Sequence, residues 1–469
     1  MKKISSCVLL LFLCNYVFIA YSQNKTIAPI EKGGNYSLKK NNANNPCISL
    51  KQYKMIQKKC SENIKLLGLT NVDQKSPLVT AFNWPLRMAN GLNDCSYYSI
   101  YNYVDQDNTT GLLDYNCGAV TYDGHQGTDI CTLPYEFYKM DHNQVEVIAA
   151  APGTIVDKMD GNFDKNCDTN SLTANYIIVQ QANGSMALYW HLKKFSLTSK
   201  TIGQTVITGE RLGVVGSSGY STAPHLHFEV WTNNNYTNLI DPYTGTCNAL
   251  NSVSWWAVQK PYTEPAIIKA SINTAPPIFP DCPATETPNE DSCFTTPGIA
   301  SFVIFFRNET LGMTASMRIV NPNTSTFSTW SHTSSANYLS SYWYWDLTLP
   351  TIPGTYTFET IYNGVTCSKN FTINCATASA TSMNNVSEIK VFPNPANSTF
   401  NIVAEGIDKG NYKCTLKNVI GEILLSDQIK IENSFFQKSF SISEFTNGIY
   451  FLTIENEKMK MVKKISIQK

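Results

Sequence analysis

From Phe82 to the C-terminus the sequence is a succession of short runs rich in Val, Ile, Tyr, Phe and Thr, each cut off by Gly, Asn or Pro. β-Branched and aromatic residues suit a pleated, half-buried surface, and the intervening residues supply turns. Charged residues make up only 15% of the chain, and this usage favours β structure over helix bundles. A mainly β protein is therefore expected. Strands are predicted at Val145–Ala151, Asn175–Gln181, Met186–Leu192 and His225–Trp231, then at Ala300–Phe306, Met313–Val320, Tyr342–Leu349, Gly354–Tyr362 and Ser368–Ile373. In one of these, Tyr356 and Phe358 alternate with Thr355, Thr357 and Glu359, the period of a half-buried strand. One helix is predicted around Leu50–Leu67.

With domains of roughly 100–200 residues, a chain of 469 residues should form about three. Residues 1–22 read as a secretory leader: Lys2 and Lys3 precede an apolar run from Val8 to Ala20, and Ala20-Tyr21-Ser22 offers a cleavage point before Gln23. The run is shorter than the roughly 20 residues a membrane span needs, so a leader is favoured over an anchor, and no other stretch is apolar enough to span. Residues 23–79 are polar and have no assigned role. A β domain follows at 80–262, a Pro-, Thr- and Ala-rich linker at 263–283, and a second β domain at 284–376 whose strand spacing suggests an immunoglobulin-like sandwich. A low-complexity linker at 377–387 leads to a third small β-sandwich at 388–469. The 36 basic and 36 acidic residues cancel, so no overall field draws the protein to nucleic acid or anionic lipid.

Fourteen cysteines fit an exported, oxidised chain, and none forms a CxxC pair. Cys47/Cys60, Cys282/Cys293 and Cys367/Cys375 are the local candidates for disulfides. Cys414 is alone in its region and is expected to be a buried thiol.

The chain has six histidines, and four of them fall in three short segments of the first β domain. The first segment is Gly124-His125-Gln126-Gly127-Thr128-Asp129, the second Leu188-Tyr189-Trp190-His191-Leu192, the third Pro224-His225-Leu226-His227-Phe228-Glu229-Val230. In the third, strand periodicity puts His225, His227 and Glu229 on one face, with Cα atoms of neighbours in that row roughly 6.6 Å apart. His125 and Asp129 offer an imidazole and a carboxylate, both zinc ligands; with one strand histidine they form a His2Asp set whose fourth position stays open, as catalytic zinc requires. Gly127 is expected to let the backbone turn so that both point inward. His142 and His332 have no partners in the sequence and are expected at the surface.

The segment from about Phe82 to Tyr262 resembles the lysostaphin-type zinc endopeptidases. Val147-Ile-Ala-Ala-Ala-Pro-Gly-Thr-Ile-Val156 is similar to their central strand-turn-strand, Gly209-Glu-Arg-Leu-Gly-Val-Val-Gly216 to the approach to their second histidine motif, and Ser221-Thr-Ala-Pro-His225-Leu-His227-Phe-Glu229 is the most specific match. The resemblance implies an antiparallel β-sheet peptidase domain, one Zn2+ held by His125, Asp129 and His227, and two non-ligand catalytic histidines, His191 and His225. It implies a peptidoglycan or Gly-rich peptide substrate. Zinc lowers the pKa of a water it holds to roughly 7. No His-Glu-x-x-His motif is present to supply a general-base Glu, so histidine must move the proton. The aromatic flank Tyr189-Trp190 is expected to wall a substrate groove. The chain departs from the family between Asp129 and Val147, where Pro134–His142 forms an aromatic insert expected to shape the groove. Cys131 is open to two fates, a thiolate ligand or a disulfide with Cys117 or Cys167.

The final 80 or so residues, opening Val391-Phe-Pro-Asn-Pro395 and closing on Gly448-Ile-Tyr450 and a basic tail, resemble the C-terminal sorting domain of type IX secretion. That resemblance implies passage through the type IX machinery, loss of the domain, and a secreted or cell-surface location in a Gram-negative bacterium. The competing readings are a catalytically inactive binding or regulatory module and a surface adhesin.

Overall fold

The structure, a computed structural model, describes residues 29–36, 48–70, 80–168, 170–232, 238–375, 390–405, 409–431, 435–456 and 460–469. The leader at 1–22, Cys47 with its expected partnership, and the linker at 377–387 lie outside them. The chain divides into two units, 1–375 and 376–469. The expected β character holds throughout.

The first unit is built on a large antiparallel sheet. Its strands run Ser99–Asn102, Thr128–Cys131, His225–Trp231, Met186–Trp190, Tyr176–Gln180, Gly153–Met159 and Thr205–Val206, with Leu239–Ile240 pairing beside His225–Trp231. One face carries Ile177, Val179, Ala187, Tyr189, Leu226, Phe228 and Val230, packed under Phe82, Trp255 and Trp256. The opposite face carries Tyr176, Ile178, Leu188, Trp190 and Trp231, covered by the helix Leu50–Leu66. That helix begins at a capping box in which Ser49 and Gln52 satisfy each other's backbone N–H groups. It buries Tyr53, Ile56, Cys60 and Ile64, a stripe at helical spacing. Within the segment 23–79, the helix Leu50–Leu66 therefore supplies an integral layer of the domain. Tyr189 and Trp190 do not wall a groove. Tyr189 points into the core on the far face, where its hydroxyl accepts from the Ala150 backbone N–H at 2.8 Å, while Trp190 stacks on Tyr176 beneath the helix.

The sandwich consists of two sheets. One orders Glu31–Asn35, Tyr338–Thr348, Ile299–Glu309 and Ala266–Asn273; the other orders Cys293–Phe294, Val365–Ile373, Gly354–Tyr362, Thr314–Val320 and Thr326–Thr333. Phe302, Ile304, Phe306, Met317, Phe358 and Phe371 fill the space between them. Two of its strands come from segments expected to lie outside the sandwich. Ala266–Asn273 lies inside the segment read as a linker, and its Ile267, Ala270 and Ile272 belong to the sandwich core. Glu31–Asn35 comes from the N-terminal segment and extends the same sheet at its edge.

The peptidase-like sheet and the sandwich are locked together. Disulfides Cys95–Cys367 and Cys167–Cys282 cross between them. Asp94 receives both Lys139 and Lys269 at 2.6 Å, and Arg307 donates to the Tyr98 carbonyl at 3.0 Å. The insert Pro134–His142 is part of this seam and not of a groove: it contains the short helix Glu136–Asp141, and Tyr135 packs with Phe279 and Phe305. The other disulfides are Cys117–Cys247 and Cys293–Cys375. Pairing Cys282 with Cys293, or Cys367 with Cys375, is thus overturned, because the sheets bring together cysteines far apart in sequence. Cys131 and Cys414 are buried thiols outside any disulfide.

The second unit packs the sheet Lys390–Phe392, Thr399–Glu405, Phe435–Ser441 against the sheet Ile423–Ile431, Gly410–Asn418, Gly448–Glu455, Lys460–Ile467. Phe400, Ile402, Tyr412, Leu416, Tyr450 and Ile465 form its core, with Cys414 among them. Among the described residues no helix is long and apolar enough to cross a membrane.

Candidate active site

Sheet register assembles the site. Asp129 stands directly opposite His227 across one strand pair, and Trp190, the residue before His191, stands opposite His227 across the other. His125 enters from the turn preceding Thr128–Cys131, where Gly124 takes a positive φ of 72°. Gly127 serves a different purpose from the expected one. It has no positive φ; a Cβ there would lie 2.7 Å from the His227 ring, so glycine permits close approach of backbone to imidazole. His191 follows its strand in a left-handed conformation, φ 65°, uncommon for a residue with a side chain and of the kind that collects at functional sites.

Each of the four histidines has one ring nitrogen engaged by an acceptor. His125 Nδ1 donates to the Tyr103 carbonyl at 2.7 Å, His191 Nδ1 to the Ser218 carbonyl at 2.7 Å, and His225 Nδ1 to the Ala223 carbonyl at 2.8 Å. His227 differs: its Nε2 donates to Glu229 Oε1 at 2.7 Å. The second nitrogen of each ring is thereby left as a lone-pair donor to a metal or an acceptor of a proton. His125 Nε2 lies 3.1 Å from His227 Nδ1 and 3.2 Å from Asp129 Oδ1, and His227 Nδ1 lies 2.8 Å from that same oxygen. Two nitrogens and one carboxylate oxygen within 4.8 Å of one another, all buried, fit a divalent metal. Asn102 Nδ2 donates to Asp129 Oδ2 at 2.8 Å and fixes the carboxylate. Nothing in the sequence marked Asn102, which reaches the site only through pairing of Ser99–Asn102 with Thr128–Cys131.

His191 and His225 flank this cluster without joining it. Their rings are 4.6 Å apart, and His225 Nε2 lies 3.5 Å from Asp129 Oδ1. His191 Nε2 is buried with no hydrogen-bond partner, although unpaired buried polar atoms are costly. Burial, then the neighbouring His225 and His227, holds the His191 pKa well below its ordinary value; burial also lowers that of His225, with Asp129 acting in the opposite direction. Both rings are accordingly neutral at pH 7. Burial acts to raise the Asp129 carboxyl, but the facing His125 and His225 outweigh it and hold the group well below the usual carboxylate range. Cys131 faces His225 across the sheet, yet burial pushes its thiol pKa well up, and it stands outside the ligand cluster. It is neither a disulfide partner nor a member of the metal set.

His142 is exposed, as expected, and stacks on Tyr138. His332 is not at the surface. It is buried in the sandwich, with Nδ1 2.7 Å from Glu31 and Nε2 2.5 Å from Glu309.

Residues 124–239 match the model of peptidase family M23, and residues 390–468 that of the secretion system C-terminal sorting domain. The chain is 45% identical over 56 residues to peptidoglycan DD-endopeptidase ShyA of Vibrio cholerae, covering 12% of each protein. It is 51% identical over 45 residues to glycyl-glycine endopeptidase ALE-1 of Staphylococcus capitis, covering 10% of this chain and 12% of that one. The chain spans less than a quarter of the length of these curated relatives. Among solved structures it is similar to the catalytic domain of the prophage-encoded M23 protein EnpA of Enterococcus faecalis, at 22% identity and a TM-score of 0.18, over 31% of this chain and 83% of that one. The chain thus carries a peptidase family M23 domain, whose matched range spans His125, Asp129, His191, His225 and His227, and ends in a secretion system C-terminal sorting domain.

Proposed function

We propose that the protein is a secreted zinc metalloendopeptidase that cuts peptide bonds in peptidoglycan cross-links or other Gly-rich peptides. The observation that carries this reading is the division of labour among four buried imidazoles: two join Asp129 in a ligand set, and two present lone pairs beside it. His125 Nε2, His227 Nδ1 and Asp129 Oδ1 would hold the zinc. Bound there, zinc supplies Lewis-acid chemistry, lowering the pKa of a water and polarising the scissile carbonyl. His191 Nε2, which has no other partner, takes a proton from the attacking water and returns it to the leaving amine. His225, beside the Asp129 carboxylate, would donate to the oxyanion from Nε2 once that nitrogen has taken up a proton, a form the carboxylate favours. A complete set of this kind argues against an inactive binding module.

Transport follows from the sorting domain: type IX secretion would deliver the protein to the cell surface or medium of a Gram-negative bacterium and remove the tail. Digestion of purified peptidoglycan and of pentaglycine, with fragments identified by mass spectrometry, tests the activity. Cleavage that a chelator abolishes and zinc restores is expected; intact substrates with a zinc-loaded enzyme overturn the reading.

A further inference from the structure

The ligand His227 is held by a carboxylate that is itself held by the N-terminal helix. Glu229 Oε1 accepts from His227 Nε2–H, and Oε2 accepts from Trp231 Nε1–H at 2.9 Å. The Tyr53 hydroxyl, on the helix Leu50–Leu66, donates to the same Oε1 in a short hydrogen bond. Glu229 and Tyr53 are 176 residues apart and both are buried. The ring of Tyr53 also packs edge-on against Trp231, with centroids 6.0 Å apart. The first turn of the helix is fixed in place by its capping box and by Gln52 Nε2 donating to the Leu172 carbonyl.

We infer that Tyr53 is a positioning residue of the metal centre, so that the N-terminal helix completes the zinc site from outside the family domain. The inference rests on the zinc reading above and goes beyond it. A ligating imidazole is oriented by the acceptor on its other nitrogen, and loss of such an outer partner typically costs about 10–100-fold in metal affinity or activity. Glu229 can serve only if its own oxygen is fixed. It lies under the helix with three donors around it, and Tyr53 supplies the one that comes from another layer of the fold. Without the Tyr53 hydroxyl, Oε1 loses one of its two donors, only Trp231 still holds the carboxylate from the other side, and the His227 ring is oriented less firmly.

The test uses the secreted chain with its N-terminal helix intact and reads zinc dissociation constants by chelator competition, melting temperatures of the metal-free proteins, and peptide-cleavage kinetics. Tyr53→Phe keeps the ring against Trp231 and removes only the hydroxyl. It should weaken zinc binding about 10–100-fold while the metal-free protein melts near the wild type. Ile56→Ala, on the same buried face of the helix, should lower the melting temperature and leave the zinc constant at the wild-type value. A Tyr53→Phe protein with wild-type zinc affinity overturns the inference and leaves the proposed function standing. If Ile56→Ala weakens zinc as much as Tyr53→Phe, the helix acts through packing alone and the inference is likewise overturned. A wild-type chain that takes up no zinc overturns both.

Discussion

Among the described residues are two buried histidine–carboxylate clusters, and they have opposite characters. In the peptidase-domain cluster, His125, His191, His225 and His227 each use one nitrogen to fix the ring and leave the other facing a shared space. In the sandwich, His332 has both nitrogens taken by carboxylates, Glu31 on one side and Glu309 on the other. Glu309 is further held by Ser341 and Trp343. The first cluster keeps lone pairs available for a metal and a proton; the second spends all of them on cohesion. Burial of a histidine beside an acid is therefore no guide to function until the second nitrogen is accounted for. Both clusters also recruit the N-terminal segment, through Tyr53 in one and Glu31 in the other.

The sharpest way to break the comparison is to remove a ligand. Asp129→Ala should abolish metal retention and cleavage together, because two imidazoles alone leave the site open. Metal analysis beside peptide-cleavage kinetics on one preparation checks this, and full zinc occupancy would mean a different third ligand. Next in size come His191→Ala and His225→Ala. Each should slow turnover by about a hundredfold or more, from the loss of a proton-transfer group or oxyanion donor, with zinc content unchanged. Gly127→Ala should come third. Its Cβ would meet the His227 ring at 2.7 Å and push it from the ligand position, costing metal affinity on the scale of an outer-partner change, about 10–100-fold.

The smallest effect on activity, and none on zinc, is expected at His332. His332→Ala leaves Glu309 buried without its cationic partner, though still held by Ser341 and Trp343, a loss of at most about 3–5 kcal/mol; chemical denaturation should register it while cleavage persists. The pH dependence has a defined sign. Burial opposes the His332 charge, but Glu309 and Glu31 overcome it and raise the pKa above 6.5. Stability from this ring is therefore complete below 6.5 and is lost as pH climbs through the raised value. Burial likewise opposes the Glu309 charge, yet its bond to His332 and those to Ser341 and Trp343 hold its pKa below 4.5, so its share is lost as pH falls through that lower value. Unfolding midpoints should accordingly fall on the alkaline side in the wild type and lose that alkaline sensitivity in His332→Ala.

What the sequence revealed and what it concealed divide along the same line. Period-two alternation and turn residues located His225–Trp231 and most strands of the sandwich, because strand pattern is local information. The spacing of His125 and Asp129, and the sharing of one face by His225 and His227, were legible for the same reason. Partnerships made across sheets were not. Cys95 meets Cys367 over 272 residues, His332 meets Glu31 over 301, and Glu229 meets Tyr53 over 176. Tyr189 and Trp190 show the limit at the smallest scale: adjacent aromatics on a strand must face opposite sides, and both faces of this sheet are covered. Ala266–Asn273 was hidden by its surroundings, since prolines at 265, 276 and 277 made an apolar strand look like part of a linker.

The central claim is that the four-histidine cluster is a catalytic zinc site and the His332 cluster is not. Zinc content and peptidoglycan cleavage, measured in parallel on the wild type, Asp129→Ala, His191→Ala and His332→Ala, test it most directly. Zinc and cleavage are expected in the wild type, neither in Asp129→Ala, zinc without appreciable cleavage in His191→Ala, and both in His332→Ala. Zinc retained by Asp129→Ala, or wild-type turnover in His191→Ala, would contradict it.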